Sequence, residues 1–354
     1  MKRLLPLVLL VCLGIGCGPS PNCTYGAEFV LRAVPQRGER LTTSAMQAAR
    51  SIISRRLERL GVKVTSVTIR GSDEIVVSWP SDPPTYIDDI AWKRGQLQLF
   101  DFEKSLAPPT VANGYPTPYT TVYALLSAVK AEAARGTPQA YYLFATTGKH
   151  RVMQGPAPTR QALLAPYNGK QPAESTILAV PANREVVSGP GSFDWTPGTK
   201  PIGPASDEAY SYLFKLPPAL GGSDFNKSAI SVANSTDVRA DVRVGFTSHG
   251  AKAFQAITKA EYERGRLLAS RNGDAGKLNP RYAQHVAIVL DGYIYGTPYI
   301  DYTDPSLSAG IGGGYAVIQH IPSYTKPGDL ALILRTGSLP FVFKPVSPVP
   351  VCRR

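Results

Sequence analysis

The first hundred residues alternate between the apolar spacing of strands and that of a helix. One buried helix face is predicted by the spacing of Met46, Ala49, Ile53, Leu57 and Leu60. The surrounding segments predict strands at 26–34, 62–70, 74–80 and 97–104, with a short second helix near 87–92. The order strand, helix, strand, strand, helix, strand is that of the split βαβ, or ferredoxin-like, pattern.

A second regular pattern lies at Ala287–Ile300, AIVLDGYIYGTPYI. Asp291-Gly292 supplies the positive φ angles of a tight hairpin turn. The strand before it, 286–290, has no polar alternation, which predicts burial on both faces. Pro298 indicates that the second strand ends or lies at a sheet edge.

Tyrosines recur along and just after the second strand of this hairpin, at Tyr293, Tyr295, Tyr299 and Tyr302. An edge strand that carries tyrosines could bind an extended polypeptide by strand addition, so Tyr293, Tyr295 and Tyr299 are candidate polypeptide contacts. The alternative is that these rings cover the core of the protein itself.

Between and after these regions the patterns are shorter. They predict a helix at 120–134, strands at 141–145 and 238–246, a helix begun by Thr247 or Ser248, a helix capped by Thr325, and a last strand at 339–344. Residues 146–210 are rich in proline and glycine, and no function is assigned to them.

The N-terminus has the pattern of an export signal. Lys2 and Arg3 precede an apolar run, Leu4 to Gly16, which ends at Cys17. As a helix this run would reach about 20 Å, against a hydrocarbon core of about 30 Å. Cys17 occupies the place of a lipoprotein anchor, although Leu13 lies one position too early for that pattern. Lipidation of Cys17, ordinary cleavage nearby and an uncleaved anchor stay open, and each predicts the extracytoplasmic side of the cytoplasmic membrane.

The remaining cysteines and the net charge add two expectations. In an oxidising compartment Cys23 and Cys352 could form a disulfide that joins the chain ends, or both could be free.

The net charge is +12, or 12 − 2 = +10 without Lys2 and Arg3, which favours anionic neighbours. Because the chain carries an export signal, nucleic acid is not expected to be its anionic partner. A solvated helix face, rather than a specific binding patch, is predicted for the arginines at Arg50, Arg55, Arg56 and Arg59.

The sequence predicts no catalytic residue, metal or cofactor. Its four histidines are scattered, and neither HExxH nor GxSxG is present. Ser248 and His249 come at a predicted helix start, where capping is the simpler role. Asp88 and Asp89 are adjacent, so on a helix they would point in different directions. We therefore expect a protein that is not an enzyme.

Five blocks, in sequence order, resemble the large extracytoplasmic domain of the SecD family of protein-export subunits. They are GAEFVLRA with the following AMQAARSIISRRLERLGVKVTSVTIRGSDEIVVSWP, then GGSDFNKSAISV, VGFTSHGAKAFQAIT, AIVLDGYIYGTPYI and DLALILRTGSLP. The resemblance implies an α+β fold with a ferredoxin-like βαββαβ base, 26–104 with 325–346, and an inserted α+β head, 105–324. Residues 1–25 would be signal, anchor and linker.

The resemblance also implies a function. We expect an export accessory whose partners are exported polypeptides or Sec translocase subunits. SecD continues into membrane helices that this sequence does not contain, so we expect no proton coupling by this chain alone. The alternative is an envelope protein, anchored at its N-terminus, that binds anionic lipid or wall polymer on a borrowed fold.

Overall fold

The structure is a computed structural model, and it covers most of the chain beyond the predicted signal. The residues that it describes are 25–36, 38–80, 87, 90–107, 111–112, 115–116, 129, 139–146, 152–181, 183–189, 210–233, 241–274, 276–319, 321 and 326–352. Cys17, Cys23, Thr325 and, apart from Val129, the predicted helix at 120–134 lie outside these residues.

Helices and strands are mixed along the described residues. The helices are α1 (Thr43–Arg59), α2 (Phe102–Ser105), α3 (Arg160–Leu164), α4 (Ser248–Arg271) and α5 (Pro327–Thr336). The strands are β1 (Tyr25–Val34), β2 (Ser66–Arg70), β3 (Glu74–Ser78), β4 (Leu97–Asp101), β5 (Val111–Ala112), β6 (Tyr115–Pro116), β7 (Gln139–Ala145), β8 (Val152–Ala157), β9 (Ser175–Pro181), β10 (Arg184–Gly189), β11 (Tyr210–Lys215), β12 (Ser231–Ala233), β13 (Asp241–Gly245), β14 (Gln284–Leu290), β15 (Tyr293–Gly296), β16 (Tyr299–Ile300), β17 (Tyr315–Ile318) and β18 (Val342–Cys352). The predicted α+β class is confirmed.

The first sheet joins the two ends of the described chain. Its strand order is β18-β1-β3-β2, and every neighbouring pair is antiparallel. Helix α1 is capped by Thr42, whose Oγ1 accepts a hydrogen bond from the Ala45 N–H at 3.2 Å. The helix packs its apolar face, with Ile53 and Leu57 fully buried, in the same core as strand residues Leu31 and Ile75. The helix pattern predicted from the sequence is thus confirmed.

The predicted strand at 97–104 is present in part, but its partner is not the one expected. Residues 97–101 form β4, and 102–105 form the short helix α2. β4 pairs with β14, from Leu97 opposite Leu290 to Asp101 opposite Val286, and lies in a different sheet from β1. Its alternation is real, since Leu99 and Phe100 belong to separate apolar clusters, but alternation alone does not specify a partner. The first sheet has β18 as its fourth strand, in the place beside β1 where β4 was expected.

The second sheet has the order β11-β10-β15-β14-β16, and β4 pairs with β14 along its other edge. All seven residues of β14 are buried, which confirms the prediction of a strand covered on both faces. Asp291 and Gly292 adopt φ angles of 52° and 74°, as the predicted hairpin turn requires. Helix α4 contacts β14, and an aromatic cluster that includes Phe100 and Phe214 also contains β14 residues.

Smaller sheets complete the described structure, with orders β12-β13-β17, β8-β7-β9 and β5-β6. Thr247 caps α4, because its Oγ1 accepts from the Gly250 N–H at 3.1 Å. Helix α5 begins at Pro327, and its N-cap residue Lys326 makes no side-chain capping bond. Gly337 ends that helix with a φ of 89°, a conformation that favours glycine.

Candidate functional site

Two of the three candidate contact tyrosines of the hairpin do not lie on an edge strand. β15 carries Tyr293 and Tyr295, and it lies between β14 and β10, with Ser188 opposite Tyr293. The chain leaves β15 before Pro298, whose carbonyl accepts a hydrogen bond from the Val286 N–H at 3.0 Å, and then forms β16 on the same partner strand. Of the two outcomes predicted at Pro298, the strand end is the one found, since β15 ends at Gly296. β15 is not an edge strand, because β10 from the distant segment 184–189 pairs with it.

Tyr293 and Tyr295 are partly buried and pack against each other. Their ring centroids are 6.1 Å apart and the ring planes are nearly perpendicular, at 89°. Burial raises the pKa of Tyr293 above its ordinary value. Tyr295 also packs against the apolar cluster that contains Leu97 and Phe225. Tyr295 therefore packs on the core and Tyr293 packs on Tyr295, and a role of either ring in polypeptide contact stays a prediction.

Tyr299 differs from the other tyrosines of the hairpin. It lies on β16, the terminal strand of its sheet, opposite His285, and 37% of the residue is exposed. Tyr302 is buried, and its hydroxyl accepts from the Asn279 N–H at 2.7 Å and donates to the Lys277 carbonyl at 2.8 Å. Of the three predicted contact residues, Tyr299 is the one that presents an accessible ring at a sheet edge.

A cavity of about 340 Å³ lies near this hairpin, and the sequence did not predict it. Segments 95–97, 222–230 and 334–338 meet at its walls. The apolar part of the lining is Leu97, Phe225, Ile230 and Leu334, all members of the cluster against which Tyr295 packs. Its volume is at the lower end of the range for ligand sites. Its walls combine these apolar side chains with Lys227, two serines and three glycines.

Lys227 gives this cavity a positive group. It lines the cavity together with Gly337, and a Cβ atom at Gly337 would lie 2.6 Å from Nζ of Lys227. The ammonium group is therefore close to the C-terminus of α5, where the helix dipole is negative. Arg335 binds the same segment, since its Nε donates to the Ile230 carbonyl at 2.5 Å. Two blocks that carry the family resemblance, 221–232 and 329–340, thus meet at the cavity.

Asp291 connects the hairpin to the chain segment that enters β4. Its carboxylate accepts hydrogen bonds from the Gly95 N–H at 3.0 Å and the Gln96 N–H at 2.7 Å. Its own N–H donates to the Gln96 carbonyl at 3.0 Å. The same residue that forms the turn therefore fixes the hairpin against the segment that enters β4. The sequence explained only the turn.

Arg56 was predicted on a solvated helix face, and that prediction was wrong. It is fully buried, and its guanidinium makes five hydrogen bonds. The acceptors are Thr336 Oγ1 at 2.9 Å and the carbonyls of Gly337 at 2.8 Å, Ile90 at 3.2 Å, Ala91 at 3.3 Å and Lys93. Burial lowers the pKa of Arg56 to about 10, so it stays charged at neutral pH. The sequence already indicated this burial, because Arg56 lies three residues after Ile53 and therefore on the apolar face of the helix.

Of the remaining polar candidates, Asp88 and Asp89 lie outside the described residues, and His249 pairs with Asp224. Nδ1 of His249 lies 2.8 Å from Oδ1 of Asp224, and the His249 side chain is 86% exposed. The other oxygen of Asp224 accepts from the Gly221 N–H at 2.8 Å, so this aspartate orders its own loop. Among the described residues no three His, Cys, Asp or Glu side chains are grouped to hold a metal ion. No helix in the same part of the chain combines the length and apolarity needed to cross a bilayer.

Sequence comparisons match the region that contains the hairpin and most of the cavity lining. Residues 200–341 match the family model described as SecDF, P1 head subdomain. A stretch of 128 residues is 34% identical to the protein translocase subunit SecDF of Thermus thermophilus, and it covers 36% of this chain. The chain is SecD-like. A stretch of 99 residues, 28% of the SecD-like chain, is 33% identical to the protein translocase subunit SecD of Syntrophobacter fumaroxidans.

The SecD-like chain corresponds to a small part of these relatives, because each match spans 14% of the relative's length. Two solved SecDF structures are each 21% identical to the chain. A crystal structure of SecDF in its super-membrane-facing form aligns with 94% of this chain over 32% of its own length, with a TM-score of 0.47. A structure of SecDF, described as a membrane component that enhances protein export, aligns with 92% of this chain over 100% of its own length, with a TM-score of 0.45. None of these matches favours the lipid- or wall-binding alternative.

The cysteine predictions stay predictions. Cys17 and Cys23 lie outside the described residues. The backbone of Cys352 pairs with Tyr25 at the start of β1, two residues after Cys23 in the sequence. This register brings the C-terminal cysteine to the end of the sheet from which the N-terminal segment leaves.

Proposed function

We propose that this SecD-like chain is a protein-export accessory that binds translocating polypeptides or translocase subunits on the extracytoplasmic side of the cytoplasmic membrane. The observation that carries the proposal is the match of residues 200–341 to the P1 head subdomain of SecDF. The relatives' description as protein translocase subunits supports the same role. The proposed role is binding, and it requires no catalytic residue, cofactor or nucleic acid.

We propose further that the first sheet with α1 and α5 is a ferredoxin-like base, and that the residues between β3 and α5 form the inserted head. The strand order β18-β1-β3-β2 and the chain order β1, α1, β2, β3, α5, β18 support this division. Because β4 pairs with β14, the head begins before residue 97, and the base is formed by about 26–80 with 326–346.

The proposed contact regions are the β16 edge, beside the start of β14, and the cavity, beside Leu97 at the other end of that strand. An extended polypeptide that pairs with β16 would have Tyr299 beside it, and main-chain hydrogen bonds of this kind do not depend on the bound sequence. The cavity would take an apolar side chain against Leu97 and Phe225, with Lys227 near a carbonyl or carboxylate of the bound chain. Both features suit binding of many different unfolded segments.

The N-terminus would hold these regions at the membrane. We propose that the chain is anchored there, through lipidation of Cys17 or through an uncleaved signal segment. Exported chains that leave the translocase would then meet the head close to the bilayer.

Photocrosslinking in cells tests the role and its location. A photoreactive residue would replace Tyr299 or Ser223, an exposed residue of the cavity wall, and a matched probe would replace the exposed Arg59 on α1. We expect secretory precursors or translocase subunits to be labelled from the first two positions and not from the third. Equal labelling from all three, or labelling of lipid and wall polymer alone, would contradict the proposal.

A further inference from the structure

Glu261 is a carboxylate on the face of α4 that packs against the rest of the protein. The buried residues of this helix include Phe254, Thr258, Glu261 and Gly265, which recur at helical spacing and form one stripe. Glu261 is 0% exposed. The two glutamates of this helix therefore differ sharply, because the Glu263 side chain is 62% exposed.

Neither carboxylate oxygen of Glu261 has a hydrogen-bond partner among the described residues. The nearest cation along the helix is Arg264, and its guanidinium binds elsewhere. Nη2 of Arg264 donates to Oδ1 of Asp101 at 2.6 Å, and Nε donates to Oε1 of Gln284 at 3.0 Å. An ionised Glu261 would thus be a buried anion without a bonded counter-charge, which is a costly state.

The surrounding elements add further negative charge. β4 contributes Asp101 and α2 contributes Glu103, while β14 contributes His285, which is bound to Glu103 and adds no negative charge. Nδ1 of His285 lies 2.5 Å from Oε1 of Glu103, and the His285 N–H donates to the other oxygen of Glu103 at 2.9 Å. Arg264 on α4 itself is the cation of this group. Burial first, and then the charges of Asp101 and Glu103, raise the pKa of Glu261 well above its usual value.

We propose that Glu261 is a buried proton-binding site, which holds a proton in the folded protein at neutral pH, and that release of this proton weakens the packing of α4 on the β4-β14 sheet. The protonated carboxyl group is neutral, so it can remain buried between the helix and the sheet without adding to the negative charge there. The ionised group would attract water or force the helix away from the sheet.

The sign of the pH effect follows from proton linkage. In the unfolded chain an ordinary glutamate has a pKa of about 4.3. Since the folded protein binds the proton more tightly, the stabilisation is complete below that pH and is lost as the pH rises through the raised pKa of Glu261. Between these two values the unfolding equilibrium constant should increase about tenfold per pH unit from this site.

The direct test is carbon NMR of the full chain with glutamate labelled at the side-chain carboxyl carbon. The resonance missing in Glu261→Gln assigns the site, and Glu263→Gln assigns the exposed control. We expect the Glu261 resonance to titrate well above the ordinary glutamate range, because burial and the charges of Asp101 and Glu103 favour its neutral form. A Glu261 resonance that titrates at or below about 4.5 would overturn the proposal.

Denaturant unfolding between pH 5 and pH 8 tests the effect on packing. Wild type should lose stability relative to Glu261→Gln as the pH rises, and Glu263→Gln should run parallel to wild type. Glu261→Leu removes the same proton with a different shape, and it serves if the glutamine variant does not fold. If the wild-type and Glu261→Gln curves stay parallel across this range, Glu261 does not couple a proton to folding.

Discussion

Arg56 and Glu261 are both fully buried ionisable residues on the inner face of a long helix, but their surroundings are opposite. Arg56 on α1 makes five hydrogen bonds, four of them to backbone carbonyls. Glu261 on α4 makes none with the described residues. A buried group stays ionised where dipoles of opposite sign point at it, and otherwise takes its neutral form. Arginine has no accessible neutral form at neutral pH, whereas glutamate has one.

The acceptors of Arg56 explain why a charge is useful at that place. Gly337 follows the C-terminus of α5, where helix carbonyls lack partners within the helix. Ile90, Ala91 and Lys93 belong to an irregular segment whose carbonyls also need donors. One guanidinium satisfies both sets, so Arg56 joins α1, α5 and this segment into one core.

The largest effect that we expect is the loss of stability in Arg56→Met. The substitution removes five hydrogen bonds and leaves buried carbonyls unpaired, which should reduce the free energy of unfolding by at least about 3 kcal/mol. Urea unfolding at pH 7 measures the change. Arg55→Met is the matched control, because Arg55 is exposed on the same helix and should change stability by less than about 0.5 kcal/mol.

An equally small effect of both arginine substitutions would show that the described hydrogen bonds of Arg56 contribute little, and the contrast with Glu261 would fail. Arg56→Lys sharpens the same test. An ammonium group keeps the charge but lacks the planar fork of donors, so it should recover only part of the loss.

A smaller effect, with a pH dependence of known sign, is expected for Arg264→Met. Arg264 is the cation bound to Asp101. The pKa of Asp101 is raised, because burial raises it by more than the charge and hydrogen bond of Arg264 lower it. Without the guanidinium the pKa of Asp101 should rise further. We expect a loss of about 2 kcal/mol at pH 8, and a smaller loss at pH 5, where the carboxyl group can be protonated.

Unfolding at the two pH values measures this difference, with Arg266→Met as the control on the exposed side of α4. A loss that is larger at pH 5 than at pH 8 would show that Asp101 is not the group that Arg264 stabilises.

The smallest effect is expected for a surface ion pair. Glu74 binds Arg32 and Arg70 at 2.8 Å each, and the hydrogen bond from Arg32 is the first cause of its lowered pKa. Both arginine side chains are about half exposed, at 50% and 53%, so water and salt screen the charges. Glu74→Gln should lower the unfolding free energy by less than about 1 kcal/mol, and 1 M salt should remove most of that difference. A loss as large as that of Arg56→Met would contradict this order.

Local patterns predicted the elements that depend on local chemistry. The apolar stripe of α1, the both-sided burial of β14, the Asp291-Gly292 turn and the Thr247 cap could all be read from residues close together in the sequence. In each case the determining contacts, or the φ angles, lie within a few residues of one another.

Partners distant in sequence could not be predicted in the same way. The alternation of 97–101 predicts a strand but not that β14 pairs with it, and nothing near Tyr293 indicates that β10 covers β15. The cavity also depends on three distant segments. Arg56 and Glu261 are a different case, because both lie on apolar stripes that the helical period already defined. The burial of Arg56 and Glu261 was missed because charged residues were assigned to the solvent side of a helix.

The pairing of β1 with β18 also has a consequence for the order of events during folding. Val34 pairs with Val342, and Tyr25 with Cys352, so one side of β1 has no strand beside it until the C-terminal segment has reached the compartment where the chain folds. Closing so long a loop carries an entropy cost that the completed sheet must repay. Meanwhile β14, β15 and β16 can already form from neighbouring residues. The segment that contains Tyr299 can therefore reach its final form before the strand at the N-terminus does.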